Sequence, residues 1–227
     1  MPLRAAVFDF DGVIVDSEPL HFRSLHDALL EDGVAITREE YWGVYLAYDD
    51  RGAIRRALEQ HREPADAGRV ARIQARKVAR FAELIPRIPV LDGASEMVRS
   101  LAAEVPLAIA SGARHEEVES ILAGLGLRDW FSAIVGAEDA ARTKPDPAPY
   151  LEAARLLAAR EHGLRPADCV AFEDSPPGIQ SALGAGMRVV GVASSYPVEE
   201  LRAAHRVVRS LSGLAPSELH ALFPREA

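Results

Sequence analysis

Asp9 and Asp11 end the run "AVFDFDG", one residue apart, at the close of a stretch of strand formers. In an extended strand, residues two apart leave the same face, so these two carboxylates would stand side by side. Such a pair repels itself. Either a cation and a reaction justify it, or it marks a turn in which both acids are simply solvated. Polar groups recur at the ends of other apolar runs. Ser111 and Gly112 follow "PLAIA", Glu173 and Asp174 follow "CVAF", and Lys144 lies in "TKPDP", a proline-rich loop that opens a helix. Four carboxylates and a lysine in one crevice would raise one another's carboxyl pKa values. A divalent cation resolves that conflict. An all-oxygen set suits Mg2+, which accepts one or two carboxylates together with substrate phosphate and waters. In such a site one acid can attack as a nucleophile, as in aspartyl-phosphate chemistry, while a second moves the proton. The serine hydroxyl, adjacent amides and lysine can hold the phosphoryl oxygens.

The elements that would position these groups are legible as a pattern. Short apolar runs, "AAVFDF", "PLAIASG", "SAIVGAE", "CVAFED", "RVVGVAS" and the weaker "RVVRSL", recur between helical stretches such as "DPAPYLEAARLLAAREHG" and "SPPGIQSALGAGM". Continuous rather than alternating apolar runs are expected of strands buried on both faces of a parallel sheet. The pattern predicts an α/β fold with a mainly parallel sheet flanked by helices and right-handed crossovers. Ligands of such sheets bind beyond the carboxyl ends of the strands, where several of these polar residues fall, and the groups would converge on one edge. From Ser17 to Ile85 no strand is predicted. "EPLHFRSLHDALLEDG", "REEYWGVYLAYDDRGAIRRALEQH" and "GRVARIQARKVARFAELI" all read as helical, and "PRIPVLDG" then breaks the periodicity. Residues 1–16 and 86–227 are therefore expected to form an α/β core, split by a helical insert at 17–85.

The 227 residues, 48% hydrophobic, suffice for a sizeable core. A formal net charge of −8 argues against nucleic acid or an anionic membrane as partner. No apolar run is long enough to span a bilayer, and "MPLRAAVFDFDG" lacks the regions of a signal peptide. The single cysteine, Cys169, has no partner for an internal disulfide and reads as core packing. A reduced, cytoplasmic setting is expected, with a monomer or weak dimer as the assembly. The aromatic stretch "REEYWGVYLAY" is assigned to packing rather than to a contact surface.

Taken in order, "DFDGVIVDSE", "IASGAR", "TKPDP" and "FEDSPPGIQSALGAGM" resemble the four motifs of the haloacid dehalogenase-like (HAD) superfamily. The resemblance covers essentially the whole chain, including a helical cap inserted after strand one, and is nearest the β-phosphoglucomutase and phosphoglycolate phosphatase-like branch. It implies a HAD-like Rossmannoid core plus an all-helical cap domain. It also implies Asp9 as nucleophile and Mg2+ ligand, and Asp11 as acid/base with its backbone carbonyl on the metal. Ser111 and Lys144 would hold the phosphoryl group. Asp174 would ligate the metal, and Glu173 would support it directly or through water. Gly12 would permit the chain reversal after the acid pair. The dehalogenating branch has no second aspartate where Asp11 stands, so phosphoryl chemistry is expected. "SGARHE" is similar to the phosphatase members, in which Arg114 borders the phosphoryl site.

The insert is expected to choose the substrate, because a closing lid excludes water and completes a site. Val70, Ile73 and Phe81 share one face of its last helix, and Lys77, four residues from both Ile73 and Phe81, interrupts that face. It reads either as a lysine at the core rim with its ammonium in water, or as a substrate-anion ligand. Arg69, Arg72, Arg76 and Arg80 read as a solvated face. The resemblance suggests that His21 approaches the acid/base, against ordinary packing. Ser17 reads as the N-cap of the first insert helix. Arg51 is a candidate anion contact, unless Asp49 and Asp50 neutralise it. The leading expectation is a Mg2+-dependent phosphatase acting on a small phosphorylated metabolite, a sugar phosphate or phosphoglycolate-like compound. A phosphosugar mutase is the alternative, and a non-catalytic binding protein a distant one. A signalling receiver domain is disfavoured by length and by the order of lysine and acid pair.

Overall fold

All four residues of the first strand, β1 (Ala5–Phe8), are wholly buried. That is possible only for a strand covered on both faces. In the computed structural model, which describes residues 3–223, the chain runs from β1 into helices α1 (Glu18–Leu30), α2 (Arg38–Gly43), α3 (Asp50–Gln60) and α4 (Ala67–Leu84). It continues through α5 (Ala94–Ala102), β2 (Leu107–Ala110), α6 (His115–Gly124), β3 (Phe131–Val135), α7 (Ala148–Ala158) and β4 (Cys169–Glu173). It ends with α8 (Pro176–Gly184), β5 (Arg188–Val192), β6 (Arg206–Val208) and α9 (Pro216–His220). The chain divides into two compact units, Met1–Asp16 with Pro89–Ala227, and Ser17–Ile88. The division falls inside "PRIPVLDG" rather than before it, because Ile85–Arg87 form a 3-10 turn directly after α4.

The first unit is built on a sheet of order β3-β2-β1-β4-β5-β6, and every pairing among the described strands is parallel. Alternation along β1 separates two cores. Ala5 and Val7 face α7 and α8, packing with Tyr150, Leu157, Ile179 and Cys169. Phe8, pointing the other way, stacks on Phe172 at 4.5 Å and meets Phe131 edge-on at 6.0 Å. The register sets Phe8 opposite both Ile109 and Phe172. Asp9 is thereby level with the last residues of β2 and β4, and this alignment brings the polar residues beyond the three strands to one edge. The segments that leave and re-enter the unit are paired to each other. Leu91 N–H donates to the Ile14 carbonyl at 3.0 Å, and Asp16 N–H to the Pro89 carbonyl at 2.9 Å. Cys169 is buried and its thiol is pushed up to about 12 by burial, consistent with packing and not reactivity.

Every regular element of the second unit among its described residues is a helix. Leu25, Leu29, Tyr41, Tyr45, Ile54, Leu58, Val70 and Ile73 form its core. The stretch "REEYWGVYLAYDDRGAIRRALEQH", read as helical with a loop at "AYDDRGAI", is broken near that point: α2 ends at Gly43, a 3-10 turn follows, Tyr48 is extended, and α3 begins at Asp50. Caps explain the break. Thr37 and Glu40 form a capping box on α2, and the Asp49 carboxylate accepts from Gly52 N–H at 2.8 Å to start α3. Asp66 caps α4 in the same way. Ser17 occupies the N-cap position of α1, but its hydroxyl does not cap the helix, which corrects that expectation.

The expected solvated face of arginines on α4 holds for Arg72, which is exposed, and is corrected for Arg69, Arg76 and Arg80. Arg69 and Arg76 pair with Asp32 at 3.6 and 2.9 Å, and Arg76 and Arg80 with Glu31, which joins α4 to the end of α1. The periodicity of the arginines was read without the acids that follow α1 in sequence, and helix packing is what brings the two rows together. No helix among the described residues is long and apolar enough to cross a membrane.

Candidate active site

Beyond β1 the backbone extends the ladder by one bond, Asp9 N–H donating to the Phe172 carbonyl at 2.9 Å. It then reverses. The Phe10 carbonyl accepts from Ile14 and Val15 N–H, and Gly12 N–H donates to the Val15 carbonyl at 2.8 Å. Phe10, Val13, Ile14 and Val15 are buried beneath this turn and pin it. Gly12 is held at φ +78°, and a Cβ there would lie 1.9 Å from Asp174 Oδ2. Glycine is required twice over, by the left-handed backbone and by the close approach of the acid.

At the end of β4, Glu173 is wholly buried and saturated with donors. Its Oε1 accepts from Lys144 at 2.6 Å and from the Tyr150 hydroxyl at 3.0 Å. Its Oε2 accepts from the N–H groups of Asp174 and Ser175 and from the Ser175 hydroxyl, at 3.0 to 3.2 Å. Ser175 in turn caps α8 through Gly178 N–H. A Cβ on Gly178 would lie 1.8 Å from Glu173 Oε1, so the helix start is shaped to this carboxylate. Lys144, reached from the β3–α7 loop, also stands 2.8 Å from Asp9 Oδ1 and 5.2 Å from the Tyr150 ring centre.

Carboxylate oxygens of Asp9, Glu173 and Asp174, all buried, lie within 4.8 Å of one another. Burial pushes the Asp9 carboxyl well above its usual range. Lys144 opposes that rise, while Glu173 and Asp174 add to it. Burial likewise lifts Asp174 to about 6, against a hydrogen bond from Ser195 and with Glu173 adding. Burial disfavours charge on Lys144, but Asp9 and Glu173 outweigh it and keep the ammonium protonated far above the normal lysine range. Three carboxylates against one ammonium leave negative charge to spare among hard oxygens, which fits Mg2+ and suits no soft metal.

Ser111, buried, continues β2 by donating its N–H to the Val135 carbonyl at 2.9 Å, and its hydroxyl accepts from Ala113 N–H. Gly112 is open, with no atom within 4 Å of the position a Cβ would take. Ser111, Gly112 and Lys144 line a small cavity of about 190 Å³ with Arg142 and Thr143. A second clasp ties the Ser111 loop to the loop leading to Lys144: His115 Nδ1 lies 2.6 Å from Asp139, which also accepts from Gly136 N–H. Arg114, in contrast, is 72% exposed and faces Glu116 at 3.9 Å. Asp11 lies past the strand in the turn, bridged to Val15, and its carboxylate is not among the three clustered acids.

Four residues at this site were not singled out from sequence: Tyr150, Ser175, Ser194 and Ser195. Tyr150 reads as an apolar position of α7. Ser194 and Ser195 follow the apolar run of β5, and the strand-end rule that found Ser111 could have found them. The Ser194 hydroxyl donates to the Gly12 carbonyl.

In the helical unit, Lys77 is buried rather than placed with its ammonium in water. Its Nζ lies 2.8 Å from Asp50 and 2.9 Å from His21 Nδ1, and the His21 ring stacks on Phe81 at 4.1 Å. Asp50 therefore serves Lys77, not Arg51, whose guanidinium is exposed and donates to Gln74 at 2.8 Å.

A parallel α/β sheet with acids, a serine and a lysine at its carboxyl edge defines the class to which comparison assigns this chain. The family model of the haloacid dehalogenase-like hydrolases matches residues 3–186, and the chain belongs to that family of hydrolases. It is 32% identical over 212 residues to the protein CbbY of Rhodobacter capsulatus, covering 86% of this chain and 88% of that one. It is 33% identical over 192 residues to hexitol phosphatase B of Escherichia coli K12, covering 84% and 83%. The crystal structure of CbbY from Rhodobacter sphaeroides in complex with phosphate superposes with a TM-score of 0.75 at 28% identity, covering 95% of this chain and 97% of that one.

Proposed function

We propose that this chain is a Mg2+-dependent phosphatase that hydrolyses a small phosphorylated metabolite, a sugar phosphate or phosphoglycolate-like compound, through an aspartyl-phosphate on Asp9. The observation that carries the reading is the buried cluster in which Lys144 ties Asp9 to Glu173 beside Asp174. Asp9, Asp174 and the Asp11 carbonyl would hold the cation. Bound there, Mg2+ would neutralise the phosphoryl oxygens and allow an anionic nucleophile to approach phosphorus.

Asp9 attacks phosphorus in line, so that a carboxylate oxygen–phosphorus bond forms as the bond to the leaving oxygen breaks. Asp11 gives its proton to that oxygen, then takes one from the water that cleaves the acyl phosphate. Ser111, the Gly112 amide and Lys144 hold the phosphoryl oxygens. Glu173, with its lone pairs already occupied by five donors, acts by fixing Lys144 and the start of α8 rather than by direct coordination. The helical unit would choose the substrate, with Lys77, His21 and Arg51 as its candidate anion contacts, and Arg114 would border the phosphoryl group. The name of hexitol phosphatase B favours hydrolysis of a polyol or sugar phosphate over transfer to a second hydroxyl.

The test is a screen of phosphorylated metabolites with and without EDTA. EDTA-sensitive phosphate release that Asp9→Asn abolishes supports the proposal. Faster formation of an isomeric sugar phosphate than of free phosphate would replace it with the mutase reading.

A further inference from the structure

After β5 the chain does not run on as a plain loop. Ala193 N–H donates to the Val208 carbonyl at 2.8 Å, and Ser194 N–H turns back onto the Val192 carbonyl at 2.9 Å. This kink delivers two adjacent hydroxyls to the Gly12 turn beside the acid cluster. The Ser194 hydroxyl donates to the Gly12 carbonyl, 182 residues away in sequence. The Ser195 hydroxyl and the Asp174 carboxylate crowd the same face of Gly12. Contact at this corner is tight: the position of a Gly12 Cβ would be 1.9 Å from Asp174 Oδ2 and 2.8 Å from Ser195 Oγ. Gly12, Asp174 and Ser195 thus meet at one corner, and Ser194 closes it from the other side of Gly12.

We propose that Ser195 and Ser194 are positioning residues of the cation site, Ser195 orienting Asp174 as a ligand and Ser194 locking the Gly12 turn. The inference rests on the metal-dependent reading above and adds a third loop to it. A serine donor on one lone pair of Asp174 fixes the rotation of the carboxylate while leaving its other lone pairs for a cation, and such partners of a ligand tune metal affinity. Ser194 acts through the backbone. Gly12 N–H is held by Val15 and its carbonyl by Ser194, so both peptides flanking Gly12 are fixed. In a planar trans peptide the Asp11 carbonyl points opposite to Gly12 N–H, so its direction is fixed as well. Both serines are exposed, so replacing them removes no core packing.

The test measures Mg2+ binding directly, by calorimetric titration of the full-length protein, alongside Tm without metal. Ser195→Ala is expected to weaken Mg2+ binding about 10- to 100-fold while the metal-free Tm stays unchanged, and Ser195→Thr, which keeps the hydroxyl, to restore it. Ser194→Ala is expected to act in the same direction. If Ser195→Ala binds Mg2+ as the unchanged protein does while Asp174→Asn has lost binding, the serine role is overturned and the metal site stands. If the unchanged protein does not bind Mg2+, or Asp174→Asn binds it equally well, the metal reading falls and this inference falls with it.

Discussion

Lys144 Nζ stands 2.8 Å from Asp9 Oδ1, and the same ammonium lies 2.6 Å from Glu173, so one buried cation joins the ends of β1 and β4. Removing one partner of a buried ion pair strands the other. Lys144→Met is expected to cost about 3–5 kcal/mol in the metal-free protein at pH 8. For a chain of this size that lowers Tm by roughly 10 °C. The loss should shrink toward pH 5, because Asp9, already raised by burial, takes up a proton instead of remaining as an uncompensated charge. Thermal unfolding at the two pH values checks this, and an equal loss at both would contradict it.

Asp9→Asn keeps the shape of the side chain and removes the nucleophile. Phosphate release from the best substrate of the screen is expected to fall at least about 10³-fold. Acid quenching during turnover should trap phosphate on the unchanged protein at Asp9, and none on the variant. Phosphate trapped at another residue would reassign the nucleophile.

Asp174 sits at about 6 in the folded protein, against an ordinary 3.8. The folded state therefore binds this proton more tightly than the unfolded chain does. The metal-free protein should lose stability as pH rises from about 4 to about 6, with no further loss from this group above that. Mg2+ binds the deprotonated acids, so its stabilising shift in Tm should be larger near pH 7.5 than near pH 5. A shift independent of pH would show that Asp174 is not a ligand.

Gly12 and Gly112 make a matched pair. Gly12→Ala forces a side chain into the left-handed region and 1.9 Å from Asp174 Oδ2, whereas Gly112→Ala enters open space. The first is expected to abolish Mg2+ binding and turnover, and the second to leave Tm and Mg2+ binding unchanged. Calorimetry on both variants decides.

Asp32→Ala tests the helical unit. It leaves Arg69 and Arg76, both partly buried, without this carboxylate. The expected loss is about 1.5–3 kcal/mol, the range for hydrogen bonds to charged groups. Denaturant unfolding measures it, and a loss within the spread of ordinary surface substitutions would mean that the arginines are solvated after all.

Much of the core was readable because burial leaves its mark on composition. Strands covered on both faces must be apolar throughout, so "AAVF", "LAIA" and "CVAF" stood out, and their polar successors could be placed on one edge before any coordinates. Even the weakest of the predicted runs, "RVV", is paired as β6 at the sheet edge. The break between α2 and α3 was also written locally: "AYDDRGAI" reads as a loop, and Asp49 within it caps α3, although the helix already starts at Asp50.

What the sequence determined by itself is which residue types end which strands, since backbone periodicity and side-chain burial are properties of short segments. What only the tertiary structure decided is which of those residues touch. Lys77 reads as a free cation until Asp50 and His21 are folded against it, and the α4 arginines read as a solvated row until Glu31 and Asp32 are packed beside them. Ser194 reaches Gly12 only because β5 lies beyond β4 in the sheet and its end turns back toward β1. Such contacts join residues far apart along the chain, and no local propensity encodes them. They follow from the register of the sheet and the packing of helices, where charge is compensated across elements rather than within them.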